Sequence, residues 1–136
     1  MRKLKITVAW FDNDLLELSL SAASEGFSGR ANFYASLRAP MELADLLEGF
    51  PLGATDVRQC EFGQRGLVGH GGASIRLWCN DSLGHLKLRV GLFMDSPDES
   101  ATVALDVVPA ELDEFVDQLR LMKLQVGHKA VLGDAS

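Results

Sequence analysis

Cysteine is scarce in this chain. Cys60 and Cys79 are the only two in 136 residues, and they lack C-x-x-C spacing. That excludes a zinc knuckle and a dithiol redox motif. The expectation is two buried thiols without a bridge, as suits a reducing compartment. Long apolar runs are missing too, and no stretch approaches the roughly 20 residues that a membrane helix needs. The apolar run from Ile6 to Phe11 behind Arg2, Lys3 and Lys5 is too short for a secretory core and is closed by Asp12 and Asp14. No lipidation signal is present, so a cytoplasmic protein without a membrane attachment is expected.

Groups that do chemistry are equally sparse. His70, His85 and His128 each stand alone, without the spacing of a metal site. The glycine-rich stretch with Gly63, Gly66, Gly69, Gly71 and Gly72 lacks the Gly-Lys-Ser/Thr ending of a phosphate loop and leads into a strand, so it reads as a mobile hairpin loop. No serine occupies a G-x-S-x-G elbow, and no base is fixed near either cysteine. Acids are plentiful, but they fall on helix exteriors where water keeps a carboxyl ordinary. No catalytic residue, cofactor or metal ligand is assigned, and a non-enzymatic protein is expected.

What is present is an ordinary globular composition, 47% hydrophobic and 24% charged, in a length suited to one domain. Period-two alternation places Leu4, Ile6, Val8 and Trp10 on one face of a first strand, and Leu16, Leu18 and Leu20 on one face of a second. In the third, Phe27, Gly29, Ala31, Phe33, Ala35 and Leu37 share a face, and its small residues leave room for something to pack closely. The period then changes to 3.6. Leu43, Leu46, Leu47 and Phe50 follow Pro40 and mark a helix over 40–49, ended by Pro51 and Gly53. Strands follow at about 56–62 and 73–80, then one with Leu86, Leu88, Val90 and Leu92 inward, then one with Val103, Leu105 and Val107. A second helix, 109–121, starts at Pro109 and carries Leu112, Phe115, Val116 and Leu119 on one face. The entries Arg38-Ala39-Pro40-Met41-Glu42-Leu43 and Val107-Val108-Pro109-Ala110-Glu111-Leu112 hint at one strand-Pro-helix unit used twice. The reading is an α+β fold: a mainly antiparallel sheet, half-barrel or sandwich of about seven strands with two short amphipathic helices. It forms a single domain over 1–130, followed by a flexible tail from 131 to 136.

Charge is unevenly spread. The formal net charge is -6, yet residues 1–89 balance, and from Val90 to Leu119 the chain holds eight acids and no base. On the helix exteriors Glu42, Asp45 and Glu48 stand on the first helix and Glu111, Asp113, Glu114 and Asp117 on the second. If both helices pack on one side of the sheet, these residues form an acidic patch. Asp113 and Asp117, at i,i+4, repel by a few tenths of a kcal/mol. Strand parity turns Arg30, Tyr34, Arg38, Arg76, Trp78, Lys87 and Arg89 to the opposite face, where bases alternate with two aromatics. That face suits an anion, RNA or a second copy of the chain, although the acidic balance of the whole protein disfavours nucleic acid.

The segment Phe33-Tyr34-Ala35-Ser36-Leu37-Arg38-Ala39-Pro40-Met41-Glu42-Leu43-Ala44-Asp45-Leu46-Leu47, followed by a strand carrying Cys60, Glu61 and Phe62, resembles the WapI-type immunity proteins of bacterial toxin systems. The order of elements is similar to theirs over most of the chain. The Trp and Pro-Cys-Leu positions that precede the helix in that family are lacking here, and no binding residue is carried over. The resemblance implies inhibition by tight binding. An acidic surface would suit a toxin with a basic substrate groove, because complementary charge speeds encounter. The expected function is therefore a non-enzymatic binding protein of immunity type that masks a basic protein partner through its acidic helix surfaces. The alternative is an anion- or RNA-binding, or homodimerising, module that uses the basic and aromatic sheet face.

Overall fold

The computed structural model describes residues 2–63, 71–81, 84–94 and 98–133. The expected glycine loop (64–70), the Pro97 turn (95–97) and the last three residues of the expected tail (134–136) lie outside the described residues. The fold is α+β, with two helices and eight antiparallel strands in two sheets. Along the chain run β1 (Lys3–Phe11), β2 (Leu16–Ser24), β3 (Phe27–Ala35), α1 (Ala39–Leu47), β4 (Val57–Gly63), β5 (Gly72–Cys79), β6 (Leu86–Phe93), β7 (Ser100–Val107), α2 (Pro109–Leu121) and β8 (Lys129–Gly133). The first sheet has the order β3-β2-β1-β8 and the second β4-β5-β6-β7.

The alternation seen in the sequence is what makes this arrangement close. One face of the first sheet buries Leu4, Ile6, Val8, Leu16, Leu18, Leu20 and Phe33, and one face of the second buries Ile75, Leu77, Leu88, Val90, Val103 and Leu105, all in one continuous core. The sheets meet through β3, which touches all four strands of the second sheet. Its contacts fall at one end of that sheet. An added Cβ on Gly29 would lie 3.0 Å from Leu92 and 3.1 Å from Ala101, and Phe33 stacks on Phe62 with ring centroids 5.1 Å apart. Leu92, Ala101 and Phe62 mark the end of β6, the start of β7 and the end of β4, so β3 crosses that end of the sheet. The small residues of β3 thus admit the second sheet. Elsewhere the wedge is closed by α1 and α2, which pack on each other, α2 against β8 and α1 beside β4.

Three expectations are corrected. Residues 131–133 of the expected tail belong instead to an eighth strand: Val131 pairs with Lys5 and Leu132 with Leu4. The segment is too short to show a period, and its position is set by tertiary pairing. Trp10 does not join Leu4, Ile6 and Val8 on the inner face. A bulge between Val8 and Trp10 puts two residues opposite one and reverses the parity beyond it, leaving Trp10 44% exposed. Arg38 is not on a sheet face, because β3 ends at Ala35 and Arg38 is the N-cap residue of α1. The first helix spans Ala39–Leu47, a shift of one or two residues from the expected range.

Two side chains hold exposed ends of the architecture. Gln118 of α2 donates from Nε2 to the Val131 carbonyl at 3.0 Å and accepts from the Val131 N–H at 2.8 Å, so its amide serves the free edge of β8 as a further strand would. Arg58 of β4 donates from Nη1 to the Leu46 and Glu48 carbonyls at 2.9 and 2.6 Å, answering orphan groups at the end of α1. Its Nη2 pairs with Asp56 at 3.0 Å, and its guanidinium lies 5.2 Å from the Phe50 ring centroid. The Leu52 N–H and then Arg58 hold the Asp56 carboxyl below the usual aspartate range.

Gln118→Ala is expected to lower stability by about 1–2 kcal/mol, since both β8 hydrogen bonds go at once; urea unfolding at unchanged m-value measures it. For Asp56 the folded pKa is depressed, so its contribution is present above the unfolded value of about 4 and fades as pH falls through the folded value. Asp56→Asn is therefore expected to be less stable than the wild type at neutral pH. The difference should shrink below about pH 4 in thermal unfolding followed by circular dichroism.

Candidate functional site

Two acids of α1 meet a base of α2. Arg120, one turn beyond Asp117 on α2, pairs with Asp45 at 3.0 Å and Glu48 at 3.1 Å on α1, and its Nη1 lies 3.1 Å from Met41 Sδ. The helix packing thus brings Met41, Asp45 and Glu48 of α1 to Arg120, which follows Asp113 and Asp117 at helical spacing on α2. Glu42 accepts from Ser36 Oγ at 2.9 Å. Glu111 is occupied on both oxygens: Oε1 accepts the Val108 N–H at 3.1 Å and Oε2 pairs with Arg2 at 2.9 Å. It caps α2. Glu114 lines a depression with Lys3, Lys5 and Lys129. Asp113, Glu114 and Asp117 have no ion-pair partner among the described residues. Next to them Met41 and Leu121 are exposed, Leu121 by 75%.

The residues expected to share a basic sheet face are divided between two faces. Arg30 and Tyr34 lie on the outer face of the first sheet, where Tyr34 meets Trp10 edge-on at 6.5 Å and Asn32 donates to Glu17 at 3.3 Å. Arg76, Trp78, Lys87 and Arg89 lie on the outer face of the second. In the β5–β6 register Arg76 is opposite Arg89 and Trp78 is opposite Lys87. Trp78 is half-buried beneath two guanidiniums, with Arg76 at 5.7 Å and Arg89 at 5.2 Å from its ring centroid. Lys87 pairs with Asp106 across β7 at 2.7 Å, which together with its positive charge lowers the Asp106 carboxyl.

A cleft of about 370 Å³ opens between β3, α1 and β4, with Tyr34, Glu42, Leu43, Cys60, Glu61 and Phe62 in its walls. Burial, and secondarily the charge of Glu61, push the Cys60 thiol up to about 11, so it is protonated at neutral pH and a poor nucleophile. Among the described residues no imidazole lines the cleft. Cys60 and Cys79 are both free thiols and half-buried. Among the described residues no three His, Cys, Asp or Glu side chains group as a metal site, and no helix is long and apolar enough to cross a membrane.

Sequence reasoning missed three features of these surfaces. Arg120 was one residue beyond the acid run, and only the packing of α1 on α2 shows that it draws both helices' acids together. Asp106 is Lys87's cross-strand partner, which needed the β6–β7 register. The Trp10–Tyr34 pair is created by the bulge in β1. The β4–β5 register adds Val57, Gln59 and Glu61 to the outer face that carries Arg76 and Trp78. No family model, no curated protein and no solved structure matches this chain.

Proposed function

We propose that this protein is a non-enzymatic binding protein, of immunity type, that docks a basic partner protein on the joined outer surface of α1 and α2. The observation that carries the reading is the meeting of Asp45 and Glu48 of α1 with Arg120 of α2, with Asp113 and Asp117 of α2 left without an ion-pair partner among the described residues. Stability alone does not call for this arrangement. Asp113 and Asp117 repel at i,i+4, and the fold places lysines and arginines elsewhere without neutralising them. Exposed Met41 and Leu121 supply apolar contact inside a charged rim, the usual composition of a protein-binding patch. The acidic net charge supports fast encounter with a basic protein. The surface is narrower than the residue types suggest, because Glu111 is committed to capping α2 and to Arg2. Cytoplasmic residence belongs to the same proposal, as does a partner whose active groove is basic.

The test uses the tagged protein as bait in lysate of its source organism, eluted in rising salt and read by mass spectrometry. A basic protein retained in stoichiometric amount is expected with wild-type bait and with Arg76→Glu/Arg89→Glu bait. Asp113→Lys/Asp117→Lys bait is expected to lose it, with apparent affinity at least about tenfold weaker, as reversal of close charges at an interface produces. Retention that survives the aspartate reversals defeats the proposal.

A further inference from the structure

We propose that the outer face of the second sheet, at Arg76, Trp78 and Arg89, is a separate docking site for an acidic polypeptide segment, whose carboxylates are received by the two guanidiniums. Like charges directly opposite on antiparallel strands are destabilising, and Arg76 is directly opposite Arg89. Neither has a carboxylate within ion-pair range among the described residues. One row away the same sheet does supply a counter-ion, since Lys87 pairs with Asp106 at 2.7 Å. The arginine pair is therefore a local exception.

Its geometry is that of a held receptor. Both guanidiniums rest near the Trp78 ring, at 5.7 and 5.2 Å, which restricts two long side chains. Beside them is a depression of about 450 Å³ whose lining includes Gln59, Glu61, Ser74, Arg76 and Arg89. Ser74 in its wall pairs with Gly91, where an added Cβ would come within 2.5 Å of Ser74 Oγ and crowd that hydroxyl. Ser74 can donate to an anion held there, and a guanidinium fork matches a carboxylate in two parallel bonds.

The charge around the site bears on the occupant. Glu61 borders the depression and Asp106 lies on the same face, so carboxylates spaced along a chain fit beside them better than a densely charged polyphosphate does. The depression is open and lies on a sheet, whereas a small molecule needs most of its surface enclosed. A second copy meeting this face with its two-fold axis at the pair would set arginines against arginines. What fits is an extended acidic segment of another protein. The site is independent of the acidic helix surface proposed above.

The test places Trp10→Phe in the full chain, leaving Trp78 as the only tryptophan, and titrates it with a hexaglutamate peptide at low salt while following fluorescence. A saturable change is expected, weakened at least about tenfold by Arg76→Gln/Arg89→Gln and reduced by added salt. Arg89→Lys keeps the charge and loses the fork, and is expected to weaken binding about threefold to fivefold. It also serves as the reading if the double variant does not fold. Asp113→Lys/Asp117→Lys should bind the peptide no more weakly than wild type. The proposal is overturned by the absence of saturable binding, by equal binding in the arginine variants, or by tighter binding of an oligouridylate of the same charge. It is also overturned if sedimentation shows peptide-free dimers that the arginine substitutions dissolve.

Discussion

Everything in this fold depends on β3 serving both sheets at once. It is paired with β2 in the first sheet, yet its inner face packs across one end of the second, through Gly29 on Leu92 and Ala101 and through Phe33 on Phe62. That crossing turns two four-stranded sheets, each with one apolar face, into a single wedge-shaped core. It also decides where the helices go. With the sheets joined along β3, the wedge must be closed elsewhere, and the apolar stripes of α1 and α2 close it beside β4 and β8. A larger residue at position 29 would push against Leu92 and against a backbone-rigid Ala101, so the joint tolerates little change.

The surfaces follow from that closure. Because α1 and α2 fill the same opening, they must lie against each other, and their outward rows are forced into one surface. Their acids would repel across the contact were it not for Arg120, which bridges Asp45 and Glu48 on the facing helix. An exposed ion pair of this kind contributes little to stability; its consequence is to fix how the two acidic rows are aligned. The sheets' outer faces, by contrast, are independent of each other, which is why Arg30 and Tyr34 do not join Arg76, Trp78 and Arg89.

The strands and helices were readable in the sequence wherever burial was one-sided, since alternation and the 3.6 period are direct records of which face meets the core. Leu16, Leu18 and Leu20 or Leu112, Phe115 and Leu119 needed nothing further. Features set by contact between distant segments were not readable. β8 gains its strand character from pairing with β1 and from the Gln118 amide, neither of which leaves a pattern in five residues. The bulge in β1 inverted Trp10, and no residue type announced it. On the candidate surfaces, residue choice was legible while commitment was not: Glu111 reads like its acidic neighbours, yet Arg2, 109 positions away, and the Val108 N–H occupy it.

The contrast between paired and unpaired charges is the strongest argument that these surfaces are more than solvated exteriors. This chain neutralises charges where the architecture needs them quiet. Arg58 is matched by Asp56 at the end of α1, Arg2 by Glu111 at the start of α2, and Lys87 by Asp106 between strands. Against that background the Arg76–Arg89 pair and the Asp113–Asp117 pair each set like charges at neighbouring positions with no ion-pair partner among the described residues. Each lowers stability somewhat in the isolated protein. Such local conflicts within an otherwise consistent sequence are where binding is expected to compensate for what folding does not, and the two conflicts, opposite in sign and on different layers, call for partners of opposite charge.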